Sequence, residues 1–443
     1  MPAGPLGVVD VGYPVFASDW ASDSKLIVGG GGGEGKNGIK NKITLIRAHK
    51  SGNQEKPVEV KDEIVLPDGE DNPTSLAVHK DLIYAGVNRS QQKVKANEND
   101  HLRVVSMENN ELNSKNVFHS SSVDEYQKCT QASASIVAFC SATSPGTLYA
   151  VSPKDLELLY SKKAEGEIND VHISPEGSKV AFCTAKKIVV LETVSGKQLL
   201  TIDRPKEGDK SFSKIRFISE DYIVAALNIT GKKGVVLSKY SVSDGSVAVS
   251  KKLSSRIKAV VAFDAQGKFA AVGTSDFSIV IVSSDNLKQL FMQTQVHPFA
   301  ITSISINPAG TVIGSTSVAG TVHFLDIPAD GEFHRTRATV KWSVISVILT
   351  LLMAIAIQFL VKQQIIDALI PNRSLLRFSQ PVSELVETAS QTSTMATETI
   401  APIIEEDAVE KEEDDDIETE SVTEYVTRYV TESEASPSDD RED

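Results

Sequence analysis

The chain of 443 residues holds only three cysteines, Cys129, Cys140 and Cys183. An odd and sparse set builds no disulfide framework, and it suits a reducing compartment. Basic excess is also lacking: 45 Lys and Arg stand against 59 Asp and Glu, a net charge of −14. Phosphate neutralisation needs clustered cations, so a nucleic-acid partner is not expected. The start, Met1-Pro2-Ala3-Gly4-Pro5, has neither a basic run nor an apolar core, so no cleaved signal peptide is expected. Catalytic signatures are missing too. The eight histidines are scattered from His49 to His334, with no HExxH, no paired His/Cys spacing and no GxSxG elbow. A hydrolase is discouraged, and a lone histidine such as His172 reads as a packed strand residue.

The net charge is not evenly spread. Residues 362–443 carry 6 basic and 22 acidic side chains, which leaves 39 basic and 37 acidic in the body. The tail, with Glu405-Glu406-Asp407 and Lys411-Glu412-Glu413-Asp414-Asp415-Asp416, buries too little apolar area to offset chain entropy. It is expected to be disordered. Between body and tail runs WSVISVILTLLMAIAIQFLV, Trp342 to Val361, without a charge. At 1.5 Å per residue it reaches about 30 Å, the thickness of a bilayer's hydrocarbon core. This predicts a transmembrane helix at 342–361. Arg335, Arg337 and Lys341 precede it and Lys362 and Arg373 follow, which favours a cytosolic body at 1–334 and a lumenal tail at 362–443. Asn372-Arg373-Ser374 is then a glycosylation sequon on the tail side.

The body repeats. VHISPEGSKVAFCT, IRFISEDYIVAAL, VVAFDAQGKFAAVGT and ISINPAGTVIGST share a strand–turn–strand pattern, with turns placed at Ser174, Ser219, Asp264 and Asn307, spaced 45, 45 and 43 residues apart. Looser copies begin at Ser22, His79 and Ala132. Alternating apolar residues between turns read as four short antiparallel strands per unit. From Tyr13 to Pro328 there is room for seven units, which predicts an all-β fold, a seven-bladed β-propeller of divergent WD-type repeats. The WD dipeptide is mostly gone, and Leu325-Asp326 is its nearest relic.

One hairpin breaks the pattern. Strands at Leu26–Val28 and Lys42–Ile46 flank a loop of thirteen residues, Gly29 to Asn41, against the usual two to five. Five consecutive glycines permit positive φ and close backbone approach, at an entropic cost, so the loop needs something to order it. Two nucleotide motifs overlap here. Gly30 to Asn37 approaches G-x-x-x-x-G-K-[ST], and Gly33 to Gly38 spells G-x-G-x-x-G. Both require a helix next, whereas a strand is expected, and Asn37 replaces the magnesium-binding hydroxyl. The chain itself is not expected to bind nucleotide.

Val11 to Pro14 (VGYP), Gly29 to Gly32 (GGGG) and Gly38 to Asn41 (GIKN), in the first blade of a propeller with a C-terminal anchor, resemble one family. It is the endoplasmic-reticulum guanine-nucleotide exchange factor for the Sar-type small GTPase of COPII assembly, the prolactin regulatory element-binding protein family. The likeness covers the propeller and the span; the acidic tail lies outside it, and this chain has one glycine more than the family's run of four. The resemblance implies a membrane-anchored exchange factor without covalent chemistry, with a Sar-type GTPase and COPII coat components as partners. It implies that the loop engages the GTPase through Asn37, Gly38, Ile39 and Asn41, Ile39 as an apolar contact and Asn41 through polar ones. It also implies a potassium ion on main-chain oxygens, for which Gly31, Gly32, Gly33 and Gly38 are the candidates. Lys36 and Lys40 read as ordinary solvated lysines. A non-catalytic propeller scaffold that binds the GTPase without promoting exchange is the other reading, and the intact GIKN speaks for exchange.

Overall fold

The computed structural model describes residues 5–328 apart from 36, 50–56, 100, 109–110 and 119–125, together with Phe333 and Met353. The chain divides into two units, Met1–Arg335 and Thr336–Asp443. The proposed span at 342–361, save Met353, and the acidic tail lie outside the described residues. Among the described residues no helix is long and apolar enough to cross a membrane.

The first unit is a propeller of seven four-stranded antiparallel sheets. Its N-terminal strand is β1 (Pro5–Asp10). Blade 1 comprises β2 (Val15–Ser22), β3 (Lys25–Gly30), β4 (Lys42–Ala48) and β5 (Val58–Val65). Blade 2 comprises β6 (Ser75–His79), β7 (Leu82–Gly86), β8 (Leu102–Glu108) and β9 (Glu111–Phe118), with a short helix α1 (Gln91–Lys95) inserted before β8. Blades 3 to 6 occupy residues 127–163, 170–203, 210–252 and 260–293, and blade 7 begins at 301.

Blade 7 departs from a simple count of seven equal units. Its three chain-consecutive strands end at Asp326, and its fourth, outer strand is β1, antiparallel to Thr321–Asp326 with Val8 opposite His323. The ring is thus closed by pairing the two ends of the body. Without β1 the strand Thr321–Asp326 would be an open edge, a template for wrong pairing. A second difference concerns Asp264, which lies inside the strand Val260–Gln266 rather than at its turn. The other three assigned positions, Ser174, Ser219 and Asn307, do sit between strands.

Inner strands are buried on both faces, because each sheet is stacked between two neighbours. They therefore read as unbroken apolar runs, such as Val137–Ser141 and Ile223–Leu227, rather than alternating ones. Outer strands, such as Leu158–Lys163, are largely exposed and their apolar pattern is weak. Apolar clusters fill the gaps between blades. The one that closes the ring joins Val15, Trp20 and Leu26 of blade 1 to Val322 and Phe324 of blade 7. Each such buried side chain contributes about 1.5–3 kcal/mol over its exposed state. Trp20 also donates its indole N–H to the Ser305 carbonyl at 3.1 Å, which fixes blade 1 on blade 7.

Innermost strands are laced by carboxylates. Asp19 accepts from the Val78 amide at 2.7 Å, Asp170 from Ile215 at 2.9 Å and Asp264 from Ile306 at 2.8 Å, each time from the next blade. Arg216 bridges Asp170 and Asp264 at 2.6 and 3.1 Å. His172 is packed as expected. Its Nδ1 accepts from the Phe217 amide at 3.1 Å, and burial holds its pKa well below the ordinary imidazole value.

Candidate functional site: the glycine loop of blade 1

In an antiparallel meander the hairpins alternate between the two ends of a blade. The β3–β4 loop, the β5–β6 crossing and the α1 insertion therefore emerge on the same face of the propeller. The strand β4, not a helix, follows the loop, so neither nucleotide motif has the helix N-terminus it needs.

The loop is a built structure. At its base the Gly31 amide donates to the Pro14 carbonyl at 2.9 Å. A Cβ on Gly30 would lie 1.9 Å from that same oxygen, so the backbone approach is open to glycine alone at that position. The preceding Tyr13 is buried and its hydroxyl shares a hydrogen bond with Thr44 of β4 at 2.6 Å, while burial raises its pKa. The VGYP segment and the glycine run, eighteen residues apart at Val11 and Gly29, are thus one contact.

Asn41 organises the interior. It is 6 % exposed. Its Oδ1 accepts from the Gly33 amide at 2.9 Å, and its Nδ2 donates to the Gly33 carbonyl at 2.9 Å and the Glu70 carbonyl at 2.6 Å. Its own carbonyl accepts from Leu66 at 2.8 Å. Each side-chain bond of this kind is worth about 1 kcal/mol, and stranding its buried partners costs more. Nearer the tip, Asn37 donates from Nδ2 to the Gly32 carbonyl at 2.8 Å and accepts from the Ile39 amide at 3.0 Å. Gly38 takes a φ of +80° between them, which turns the chain. Ile39 then stands out, 39 % exposed. Lys40 pairs with Asp68 at 2.6 Å, both exposed, a bond of small energetic consequence. Lys36 lies outside the described residues.

Of the four residues expected to meet a partner, Asn37, Gly38 and Ile39 are exposed and Asn41 is enclosed. Asn41 acts on the loop itself. The candidate oxygens, on Gly31, Gly32, Gly33 and Gly38, are neutral main-chain carbonyls; those of Gly32 and Gly33 already accept one hydrogen bond each. Carbonyl oxygens suit a hard cation, and a second lone pair remains on each. No group of three or more His, Cys, Asp or Glu side chains able to hold a metal exists among the described residues.

Two elements of the site were not expected from the pattern. Glu70, 5 % exposed on the β5–β6 crossing, offers its carbonyl to Asn41 and its carboxylate to Arg103 of β8. Glu34 reaches from the loop to α1 and accepts from the Gln91 amide at 2.7 Å. Blade 2 therefore grips a loop of blade 1 at two points. Neither contact has a local signature, because each joins residues 29 or more apart.

The chain is 29 % identical over 367 residues to the guanine nucleotide-exchange factor SEC12 of Candida glabrata, covering 80 % of this chain and 79 % of that protein. That likeness runs over most of both chains. It is also 30 % and 28 % identical to the putative guanine nucleotide-exchange factors SED4 of Candida glabrata and Saccharomyces cerevisiae, over 72 % of its length in both. It spans only about a third of those two longer proteins, 32 % and 30 %. No family model matches. The fold is similar to the WD40 β-propeller domain of Doa1, with a TM-score of 0.55 over 74 % of this chain and 99 % of that one. At 13 % identity this likeness concerns the fold alone.

Proposed function

We propose that this chain is a membrane-anchored guanine-nucleotide exchange factor for a Sar-type small GTPase, acting at the endoplasmic reticulum at the start of COPII vesicle formation. One observation carries the reading. The glycine loop is ordered by Asn41 and presents Ile39 outward, on a chain related over most of its length to a protein named as an exchange factor.

Exchange needs no nucleophile and no proton transfer. A factor that binds the nucleotide-free GTPase more tightly than the loaded one weakens nucleotide binding by the same factor, because coupling is reciprocal. To shift a population from 1:99 to 99:1 the preference must reach about 10⁴-fold. In this reading Ile39 makes the apolar contact, Asn37 and Gly38 present it, and Asn41 holds the loop in the binding shape. Preorganisation matters here, since ordering a glycine-rich loop at the moment of binding would subtract from affinity. A potassium ion would be held by the main-chain oxygens of Gly31, Gly32, Gly33 and Gly38, where it would supply a fixed positive charge that orders the carbonyls. Trp342–Val361 is the anchor, with the propeller cytosolic and residues 362–443 lumenal, and COPII coat components are further partners.

The test is GDP release from a purified Sar-type GTPase, with and without the full chain in detergent, in potassium and then in sodium buffer. Acceleration, faster in potassium, is the expected result. Acceleration indifferent to the cation removes the ion from the mechanism. No acceleration from folded protein overturns the exchange reading in favour of a scaffold that binds without releasing nucleotide.

A further inference from the structure

Beside the loop, between Glu34 and α1, lies an open cavity of about 220 Å³. Glu34, Asn88, Arg89, Val94, Lys95 and Tyr126 line it. The loop and the blade 2 insertion form one continuous surface here, since the Glu34 carboxylate accepts from the Gln91 amide at 2.7 Å. Tyr126 stands at the edge, 46 % exposed. Its hydroxyl end is turned toward the Asp71 and Asn88 side chains, and burial of that end raises its pKa. Asp71 is itself tied to this floor, its amide donating to the Asn88 carbonyl at 3.0 Å. The outcome is an aromatic ring at the cavity's edge with nearly half its surface in water.

A half-exposed tyrosine beside a cavity has the properties of a binding anchor. It offers large area and, with only two side-chain torsions, loses little conformational freedom on binding. Around it, α1 contributes the exposed Lys93 and Lys95, with no acid in its first turn. A partner seated here would meet cations at its rim, which favours an acidic surface and speeds encounter at low salt.

We propose that the footprint of the GTPase extends from the glycine loop across this cavity onto blade 2, with Tyr126 as its aromatic anchor and Lys93 and Lys95 facing acidic residues of the partner. This rests on the exchange reading above and adds a second contact to it. The loop acts on the nucleotide site, whereas Tyr126 contributes affinity common to loaded and empty GTPase. The two contacts therefore separate kinetically. Uniform binding alters the half-saturating concentration and leaves the maximal rate alone.

The experiment is GDP release by the full chain in detergent, followed across a range of GTPase concentrations. Tyr126→Ala should raise the half-saturating concentration tenfold or more, with the maximal rate within twofold of wild type. Tyr126→Phe, which keeps the ring, should stay within threefold on both. The double variant Lys93→Glu with Lys95→Glu should raise half-saturation and flatten or invert its dependence on salt. Because those lysines are solvated, this variant decides the matter if Tyr126→Ala fails to fold. Wild-type exchange with half-saturation unchanged in both variants overturns the extended footprint alone. No exchange by folded wild-type protein overturns the exchange reading and the footprint together.

Discussion

A Cβ placed on Gly31 would lie 2.1 Å from Oδ1 of Asn41, the atom that accepts the Gly33 amide. Gly31 also adopts a φ of +148°, which side chains rarely take. Gly31→Ala should therefore expel the Asn41 amide from the loop while sparing the blades. The expected result is a GDP-release rate lowered at least tenfold, with the unfolding midpoint shifted by only a few degrees, since local backbone strain costs about 1–3 kcal/mol. Asn41→Ala should behave alike, as it strands the Gly33 and Glu70 groups. Normal release by both variants would remove the ordered loop from the mechanism.

Ile39 makes the opposite separation. Being exposed, its truncation to Ala should change stability by no more than about 0.5 kcal/mol. Exchange should nonetheless fall roughly tenfold or more if Ile39 inserts into the partner. Circular dichroism melting together with the release assay checks both halves.

The Arg103–Glu70 pair is buried, with side chains 11 % and 7 % exposed. Arg103→Ala leaves a buried carboxylate without its cation and should cost about 3–5 kcal/mol. Replacing both residues by Met should recover most of that stability, because no charge remains to be solvated. Denaturant titration of the two variants measures the difference. A single variant as stable as wild type would show that the pair does not hold the β5–β6 crossing.

Asp19 connects stability to pH. Burial between blades, first of all, raises its pKa to about 7, although the Val78 amide opposes the shift. An acid raised in the folded state is protonated there while still ionised in the unfolded chain, so stability is greatest below the unfolded value and declines as pH climbs towards 7. Asp19→Asn keeps an acceptor for Val78 and has no charge to bury. The variant should be more stable than wild type by about 1–2 kcal/mol at pH 8, with the advantage fading towards pH 4. A pH-independent difference would contradict this.

The inner strands were legible because a sheet stacked between two others must be apolar on both faces, and runs such as VAFC, VAALN and AAVG announce that directly. The turns at Ser174, Ser219 and Asn307 were legible as well. Asp264 was misplaced by three residues, because a carboxylate shortly before the Gly267 turn looks like a turn residue. In the ring it holds the Ile306 amide of the next blade and the Arg216 guanidinium. The outer strand of blade 7 was not legible either. PLGVVD carries only partial alternation, and its partner lies more than three hundred residues away.

The sequence by itself determined the repeat, the blade number, the over-long hairpin and its glycines, because each follows from local spacing, turn chemistry and strand periodicity. Only the tertiary structure decided that β1 closes blade 7, that Asn41 faces inward while Ile39 faces out, and that Glu70, Arg103 and α1 of the neighbouring blade hold the loop. Those contacts arise where the ring brings distant segments together. Hydrogen-bond geometry and burial across such a contact depend on how blades stack, which no window along the chain contains.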